Sequence, residues 1–310
     1  MRSLRHHGGR VALSFGLLML LALPVQAAEI LKPFILASTS SGELQAKVDE
    51  VRQSLKDSGF QVLGEYSPIE QGHVIVVTND TLTKAAAATE RGGYAAAQRV
   101  SVTRHDGDNQ VAYVNPVYIE NAYRLDSDLS PVADQLADAL GRQKPFGAEG
   151  LKPKDLRKYH YTFGMEYFDD PYELAEYDSH QEAVDAVEEG LAEERAGVYK
   201  VFRYDIPDTD VTLFGIGMSQ DKGGKKAIDD AYQLSVVDFG DLKRTCYLPY
   251  TMLVNGKAVE ALHMRFRMAV HFPDLSMMGE HSFMKLMSSP EAIQKALTKV
   301  AGGKMESGFF

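Results

Sequence analysis

The amino-acid sequence predicts an α+β protein in which two tandem domains each form an antiparallel sheet with helices packed on one face. Strand-like and helix-like segments follow one another in the order β-α-β-β-α-β-β-α, and the same order then repeats. A Ser-x-x-Glu pattern precedes the first helix of each half, and a Ser-Pro pair opens the last. Successive strands joined by short turns are typical of antiparallel sheets.

The chain begins with a segment typical of a secretory signal peptide. Three arginines precede an uncharged apolar core at 11–23, and small residues follow at Ala27 and Ala28. This core is too short for a membrane span, which needs about 20 apolar residues. We therefore expect cleavage after a signal peptide at 1–27, export to the periplasm, and a mature chain that does not insert into the membrane.

The first domain is expected over 28–141. A β-branched and aromatic run at 33–39 predicts its first strand. The Ser40–Glu43 pattern then predicts a helix whose apolar residues recur at spacings of three and four until Gly59. The remaining predicted elements are strands over 60–66 and 73–79, a helix over 82–93, a hairpin over 99–104 and 110–115, and a helix over 130–141.

A stretch rich in Pro, Gly and Lys at 142–155 predicts a linker. The second domain is expected over 156–303 and a short tail over 304–310. Its predicted elements are a strand over 159–168, a helix after Ser179, strands over 198–204 and 211–219, a helix over 225–234, a hairpin over 247–254 and 258–272, and a helix over 289–302.

The region from Glu43 to Gly141 resembles the family catalogued as domain of unknown function 302 (DUF302). The resemblance is carried by the helix ending at Gly59-Phe60, the strand HVIVVTN at 73–79, and the strand QVAYVNP that stops at Pro116. The second half resembles the same family more distantly, as a divergent DUF302-like copy, through its element order and Leu248-Pro249-Tyr250. The resemblance implies a compact α+β domain with a curved antiparallel sheet around a helix. It implies no chemistry, and the Cys-containing motifs of many members are missing from the first half.

Composition narrows the possible functions. The formal net charge is −10, and removal of residues 1–27 takes away three arginines and no acid, which leaves −13. Such an acidic chain is not expected to bind nucleic acid or an anionic membrane surface. The single cysteine excludes intramolecular disulfides and multi-thiolate metal sites.

No catalytic motif is recognisable, so the sequence favours a non-enzymatic binding or accessory protein without a cofactor, which could form a homo-oligomer. The alternative is an enzyme whose site only the fold assembles. Cys246 is interpreted as a small apolar residue at the start of a strand. A nucleophilic or redox role would require a lowered pKa and a neighbouring base.

One candidate binding site lies in the segment 258–272. If this segment is a strand, alternation places four basic residues on one face and Met264 and Met268 on the other. The four are His263, Arg265, Arg267 and His271. Two interpretations stay open. This face either packs between the domains and pairs with acids, or it lines a cleft for a small anionic ligand, since arginine binds carboxylates in a bidentate fashion.

Two further patterns suggest partners. Thioether and imidazole groups together are typical of copper sites, and Met277, Met278, His281 and Met284 form such a set. Methionine also fills irregular cores, which is the structural alternative. Acidic residues without an intervening Lys or Arg extend from Glu166 to Glu194, and this run is either a docking face for a basic protein partner or a solvated surface.

Overall fold

The computed structural model describes residues 30–304, so the expected signal peptide and residues 305–310 lie outside the described residues. Within 30–304, no helix has both the length and the apolar character that crossing a membrane requires. The described chain forms two antiparallel sheets with helices. This confirms the predicted α+β class.

The first sheet has six strands in the order β2-β3-β4-β5-β1-β6. Helix α1 crosses one face of this sheet and packs beside α4. The elements of this half are β1 (Phe34–Ser40), α1 (Leu44–Asp57), β2 (Gln61–Ile69), β3 (Gly72–Thr78), α2 (Asp80–Ala88), β4 (Gln98–His105), β5 (Asp108–Val114), α3 (Pro116–Ala122), α4 (Ser130–Leu140) and β6 (Lys144–Phe146).

The second sheet has five strands in the order β7-β11-β10-β9-β8. Helices α6 and α9 pack against it. The elements of this half are α5 (Pro153–Leu156), β7 (Tyr172–Glu176), α6 (His180–Ala192), β8 (Val198–Asp205), β9 (Val211–Met218), α7 (Asp230–Val237), β10 (Tyr250–Asn255), β11 (Ala258–Ala261), α8 (Met264–His271) and α9 (Ser289–Val300).

The two sheets have matching strand orders. In chain order, β1, β2, β3, β4 and β5 of the first sheet correspond to β7, β8, β9, β10 and β11 of the second. With this correspondence, each strand of the second sheet has the same neighbours as its counterpart among β1 to β5. This is the correspondence that a duplication predicts. The halves differ at one edge, where β6, which lies inside the predicted linker, pairs with β1. No described strand occupies the equivalent place beside β7.

Local signals account for several elements. Val48, Val51 and Leu55 form the buried stripe of α1, as their spacing predicts. The Ser179 side chain accepts a hydrogen bond from the Glu182 backbone and caps α6. The matching pattern at Ser40 does not cap α1, because β1 extends through Ser40 and the helix begins after Glu43 without a side-chain cap.

Two strand predictions in the second half are wrong. Residues 159–168 form turns and loops, with Gly164 in a left-handed conformation, and the first strand of this half is β7. The long strand predicted over 258–272 ends at Ala261, and helix α8 follows with His263 as its N-cap. All but one residue of α8 are buried, and a helix buried almost all round has no polar face to reveal its period.

The halves pack together through equivalent parts. The 3-10 turn before β4, Gly92–Ala95, lies over β9 and β10 of the second half. The 3-10 turn before β10, Thr245–Tyr247, lies over β3, β4 and β5 of the first. This reciprocal packing relates the halves by an approximate two-fold axis.

Strands β2 and β8, which are equivalent, meet near this axis. They approach so closely that a Cβ on Gly64 would lie 2.4 Å from the carbonyl oxygen of Val201, so this position requires glycine. Each strand also sends one tyrosine to the first turn of a helix in the other half. The Tyr66 hydroxyl donates to Asp230 of α7, and the Tyr204 hydroxyl bonds with Thr83 of α2.

Candidate functional site

The four basic residues of the predicted binding face do not share a face. Because they lie on and just before α8, each points in a different direction. Arg265 is exposed, whereas Arg267 and His271 are completely enclosed. The strand alternation that grouped them is wrong.

Arg267 is the largest fully buried side chain that the structure describes. Its guanidinium lies between the rings of Tyr247 and Tyr250, 4.4 and 4.1 Å from their centroids. Nη2 donates to the carbonyl oxygens of Tyr247 and Pro249, at 2.8 and 3.0 Å. These contacts leave no open side for an anionic ligand, so Arg267 has a packing role.

His271 and Arg99 join the two halves. Arg99, on β4, donates through Nη2 to His271 Nε2 at 2.9 Å and through Nη1 to the Tyr247 carbonyl at 2.8 Å. The His271 Nδ1–H donates to the Arg267 carbonyl, which fixes the neutral tautomer. Burial, together with Arg99 and Arg267, lowers the pKa of His271 well below its usual value. At this point of the interface, carbonyl groups and a neutral histidine accept the hydrogen bonds of the arginine side chains. The packing interpretation of the sequence expected acids in their place.

His263 binds an acid from the acidic run. Its Nδ1 accepts from the Arg265 backbone, and its Nε2 lies 3.3 Å from Oε1 of Glu166, which also binds Arg265 at 2.8 Å. Burial lowers the pKa of His263 to about 4. Both ring nitrogens are occupied, so His263 has no nitrogen available to act as a base.

Cys246 is fully buried, as its apolar interpretation predicts. Burial raises the pKa of its thiol to about 12. Because the thiolate is the reactive species, this environment disfavours nucleophilic chemistry.

We expect Cys246 in the native protein to resist a thiol-reactive chromophore at pH 8 over hours and to react within minutes in guanidinium chloride. The reason is that both the enclosure and the raised pKa disappear on unfolding. Absorbance of the released chromophore measures the labelling. Stoichiometric labelling of the native protein at the denatured rate would show that the thiol is accessible.

Along β7 runs a groove with a volume of about 1060 Å³. It is lined by the edge strand β7, by its neighbour β11 and by the end of α9. Arg91, from the first half, closes one side and is held by Glu260 at 3.0 Å. The groove therefore lies beside a strand edge that no described strand covers, although Gly303, just after α9, packs against the Leu174 carbonyl of β7.

The groove is acidic. Glu173 and Glu176 project from β7 into solvent, and Asp170 lies just before it. None of the three forms an ion pair with any residue between 30 and 304. Much of the remaining acidic run is neutralised, since Asp169 binds Arg124, and Glu188, Glu189 and Glu193 bind Lys or Arg side chains. Among the described acids of the run that form no ion pair, Asp170, Glu173 and Glu176 line the groove, whereas Asp178 lies after β7 and Glu182 and Asp185 lie on α6.

The predicted metal residues lie on one loop between α8 and α9. Met277, Met278 and Met284 are exposed by 42%, 77% and 51%, so they do not fill a core. His281 is partly buried and its Nδ1–H donates to the Val236 carbonyl at 3.0 Å. Among the described residues, no three His, Cys, Asp or Glu side chains converge in a manner that could hold a metal ion. The thioether sulfurs of methionine, which also bind soft metals, are not among these four kinds of side chain.

Compared with known proteins, the chain matches no protein-family model, and neither a curated protein nor a solved structure shows significant similarity to it. The described residues define an α+β protein with two sheets of matching strand order. The DUF302 resemblance stays a prediction.

Sequence reasoning missed the residues that build the interface and the groove. Arg99 lies within a β-branched strand, where a charged residue at an inward position is a signal of a buried partner. Asp230 follows Asp229 at a helix start and resembles an ordinary capping pair. The free edge of β7 had no signal, because edge position depends on pairing between distant segments.

Proposed function

We propose that this chain is a non-enzymatic binding protein whose site is the acidic groove along β7, and that the groove binds an extended basic polypeptide segment. Such a segment adds to the sheet as a further strand, with main-chain hydrogen bonds to β7 and basic side chains beside the acidic rim. The observation that carries the proposal is the open edge of β7 in an acidic cleft.

The first half supports this mode of binding. There the equivalent strand, β1, is completed by β6, in which Phe34 pairs with Phe146 and Leu36 with Lys144. Phe146 is buried in this arrangement. The same strand order therefore accepts an additional antiparallel strand at this edge. In the second half no described strand takes this place, and the described chain there ends with Gly302 and Gly303 close to β7.

The charge of the groove selects the partner. Asp170, Glu173 and Glu176 repel an acidic segment and attract lysine and arginine, while Lys304 stands at the end of the groove. A strand directs alternate side chains to the same face, so basic residues at every second position suit this edge. We propose this groove as the site for the basic protein partner that the acidic run predicts. The small anionic ligand loses its proposed site.

We expect a fluorescent eight-residue peptide of alternating lysine and valine to bind the mature protein with a salt-dependent affinity, measured by fluorescence anisotropy. The peptide with glutamate in place of lysine should not bind. Methylation of all its backbone nitrogens should weaken binding at least tenfold, because strand addition needs the N–H donors. Equal binding of the methylated peptide would contradict strand addition.

Reversing the charge of the acidic residues of β7 tests whether the peptide binds in this groove. Glu173→Lys with Glu176→Lys should weaken binding at least tenfold. The matched control, Glu70→Lys with Asp108→Lys, makes the same change of net charge at exposed hairpin ends of the first sheet and should leave affinity unchanged. Equal loss in both variants would reveal non-specific attraction. Binding only by a chain shortened to Lys304 would assign the edge to the protein's own C-terminal residues and overturn the proposal.

A further inference from the structure

The loop between α8 and α9 folds back on itself and brings the backbones of two of its methionines together. The Phe283 backbone donates to the Ser276 carbonyl at 3.0 Å, and the Met284 backbone donates to the Met277 carbonyl at 3.2 Å. Met277 and Met284 are therefore backbone neighbours across the loop. Gly279, with φ of +117°, permits the turn between them.

Side-chain hydrogen bonds stabilise the same turn. The Ser276 hydroxyl donates to the Met278 carbonyl and accepts from its backbone N–H, while the Ser282 hydroxyl donates to the Gly279 carbonyl. The loop is thus ordered by its own backbone and serines. Its methionine side chains take no part in this ordering and project outward, with exposed fractions of 42% to 77%.

Three exposed methionines on one turn leave apolar surface in water, which is unfavourable in free energy for a loop that only connects two helices. Exposed apolar clusters mark a binding surface more often than an idle one. Elsewhere in the described chain, Met218, Met252, Met264 and Met268 are buried in the core.

His281 lies in the same turn with its ring held in place. A carbonyl oxygen can only accept, so the bond to Val236 requires a proton on Nδ1 and leaves the Nε2 lone pair unprotonated in the neutral ring. Phe239 stacks on the imidazole at 4.3 Å with an interplanar angle of 23°. Nε2 makes no hydrogen bond to any residue between 30 and 304. Metal-binding histidines characteristically donate the other ring N–H to a carbonyl or carboxylate in this way.

We propose that His281, Met277, Met278 and Met284 bind a single Cu(I) ion, through Nε2 and the thioether sulfurs. Thioethers are soft ligands that select Cu(I) over Zn(II), which prefers thiolate, imidazole and carboxylate. Since the four ligands come from one eight-residue turn, no movement of the two sheets is needed. The site is separate from the β7 groove, and this inference does not depend on the proposed peptide binding.

The test is an anaerobic titration of the mature protein with Cu(I) against a chromophoric Cu(I) chelator. We expect one Cu(I) per chain to be withdrawn from the chelator, and X-ray absorption at the copper edge to show sulfur and nitrogen neighbours. His281→Ala should lower the affinity at least tenfold. The combined Met277→Leu, Met278→Leu and Met284→Leu variant should abolish competition, while leucine keeps a similar apolar volume.

Controls distinguish this site from adventitious binding. Met287→Leu changes a methionine that is 65% exposed but outside the paired turn, and His160→Ala changes a histidine elsewhere. Both should bind Cu(I) like the parent protein, and circular dichroism should show that all variants are folded. Failure of the parent to compete, or equal loss in the control variants, would overturn the proposal.

Discussion

Replacement of Arg267 by alanine is expected to lower the free energy of unfolding by about 3 kcal/mol, which is typical of truncating a large buried side chain. The variant loses the packing of the guanidinium between Tyr247 and Tyr250. It also leaves the carbonyl oxygens of Tyr247 and Pro249 without one of their donors in a buried site. Denaturant unfolding followed by circular dichroism measures the loss.

Arg265→Ala is the matched control, since it removes an arginine from the same helix. Arg265 is exposed and binds Glu166 at the surface, where an ion pair contributes at most about 1 kcal/mol. We expect its effect to stay within that range. If Arg267→Ala lowers the free energy of unfolding no more than Arg265→Ala does, the buried guanidinium does not stabilise the second half as proposed.

The second large effect concerns Asp230, at the start of α7. Its Oδ2 accepts from the Met218 backbone and from the Tyr66 hydroxyl of the other half. Its Oδ1 is buried without a hydrogen-bond partner in the described chain. Burial raises the pKa of Asp230 from 3.8 to about 7, although Arg267 favours the charged form. The folded protein therefore holds this proton more tightly than the unfolded chain does.

The sign of the resulting pH dependence follows by linkage. Between pH 3.8 and about 7 the folded state binds more protons at Asp230, so its contribution to stability falls as the pH rises and is lost above pH 7. Between pH 5 and pH 8 the loss is about 3 kcal/mol. His271 acts in the opposite direction, because its lowered pKa removes stability as the pH falls below the usual histidine value.

Asp230→Asn isolates the contribution of Asp230, because the effect of His271 is common to both proteins. Relative to the variant, the parent should lose about 3 kcal/mol of unfolding free energy between pH 5 and pH 8, measured by denaturant titration at each pH. Ser235→Ala, which changes an exposed residue of the same helix and alters no titratable group, is the control and should give a constant difference. A constant difference for Asp230→Asn as well would contradict this assignment.

The sequence predicted the elements whose signals are local. The apolar stripe of α1, the Ser179 cap of α6 and the proline at the start of α4 each depend on residues within one or two helical turns. The hairpin of β4 and β5 likewise follows from its strand residues and the Asp106-Gly107 turn. These signals suffice for the α+β class and for the repeated order of elements.

Helix α8 shows where local reasoning fails. Its apolar residues happen to alternate from Leu262 to Phe272, which is the strand pattern, yet nearly all of its surface is buried. In such a segment, neighbours from both sheets decide between helix and strand. The same limit applies to Arg267 and His271, whose positions relative to solvent follow from the helix and not from alternation.

The sequence by itself thus determined the class of fold, the order of its elements apart from α3, α5, α8 and β6, and the chemical composition of the candidate copper loop, because these depend on neighbouring residues. Only the tertiary structure decided which strand edge stays open and how the halves interlock. Arg99 and His271 are 172 residues apart, and Tyr66 and Asp230 are 164 apart. Contacts over such separations form only when both sheets are assembled, since burial and hydrogen bonding there depend on groups that the local sequence does not contain.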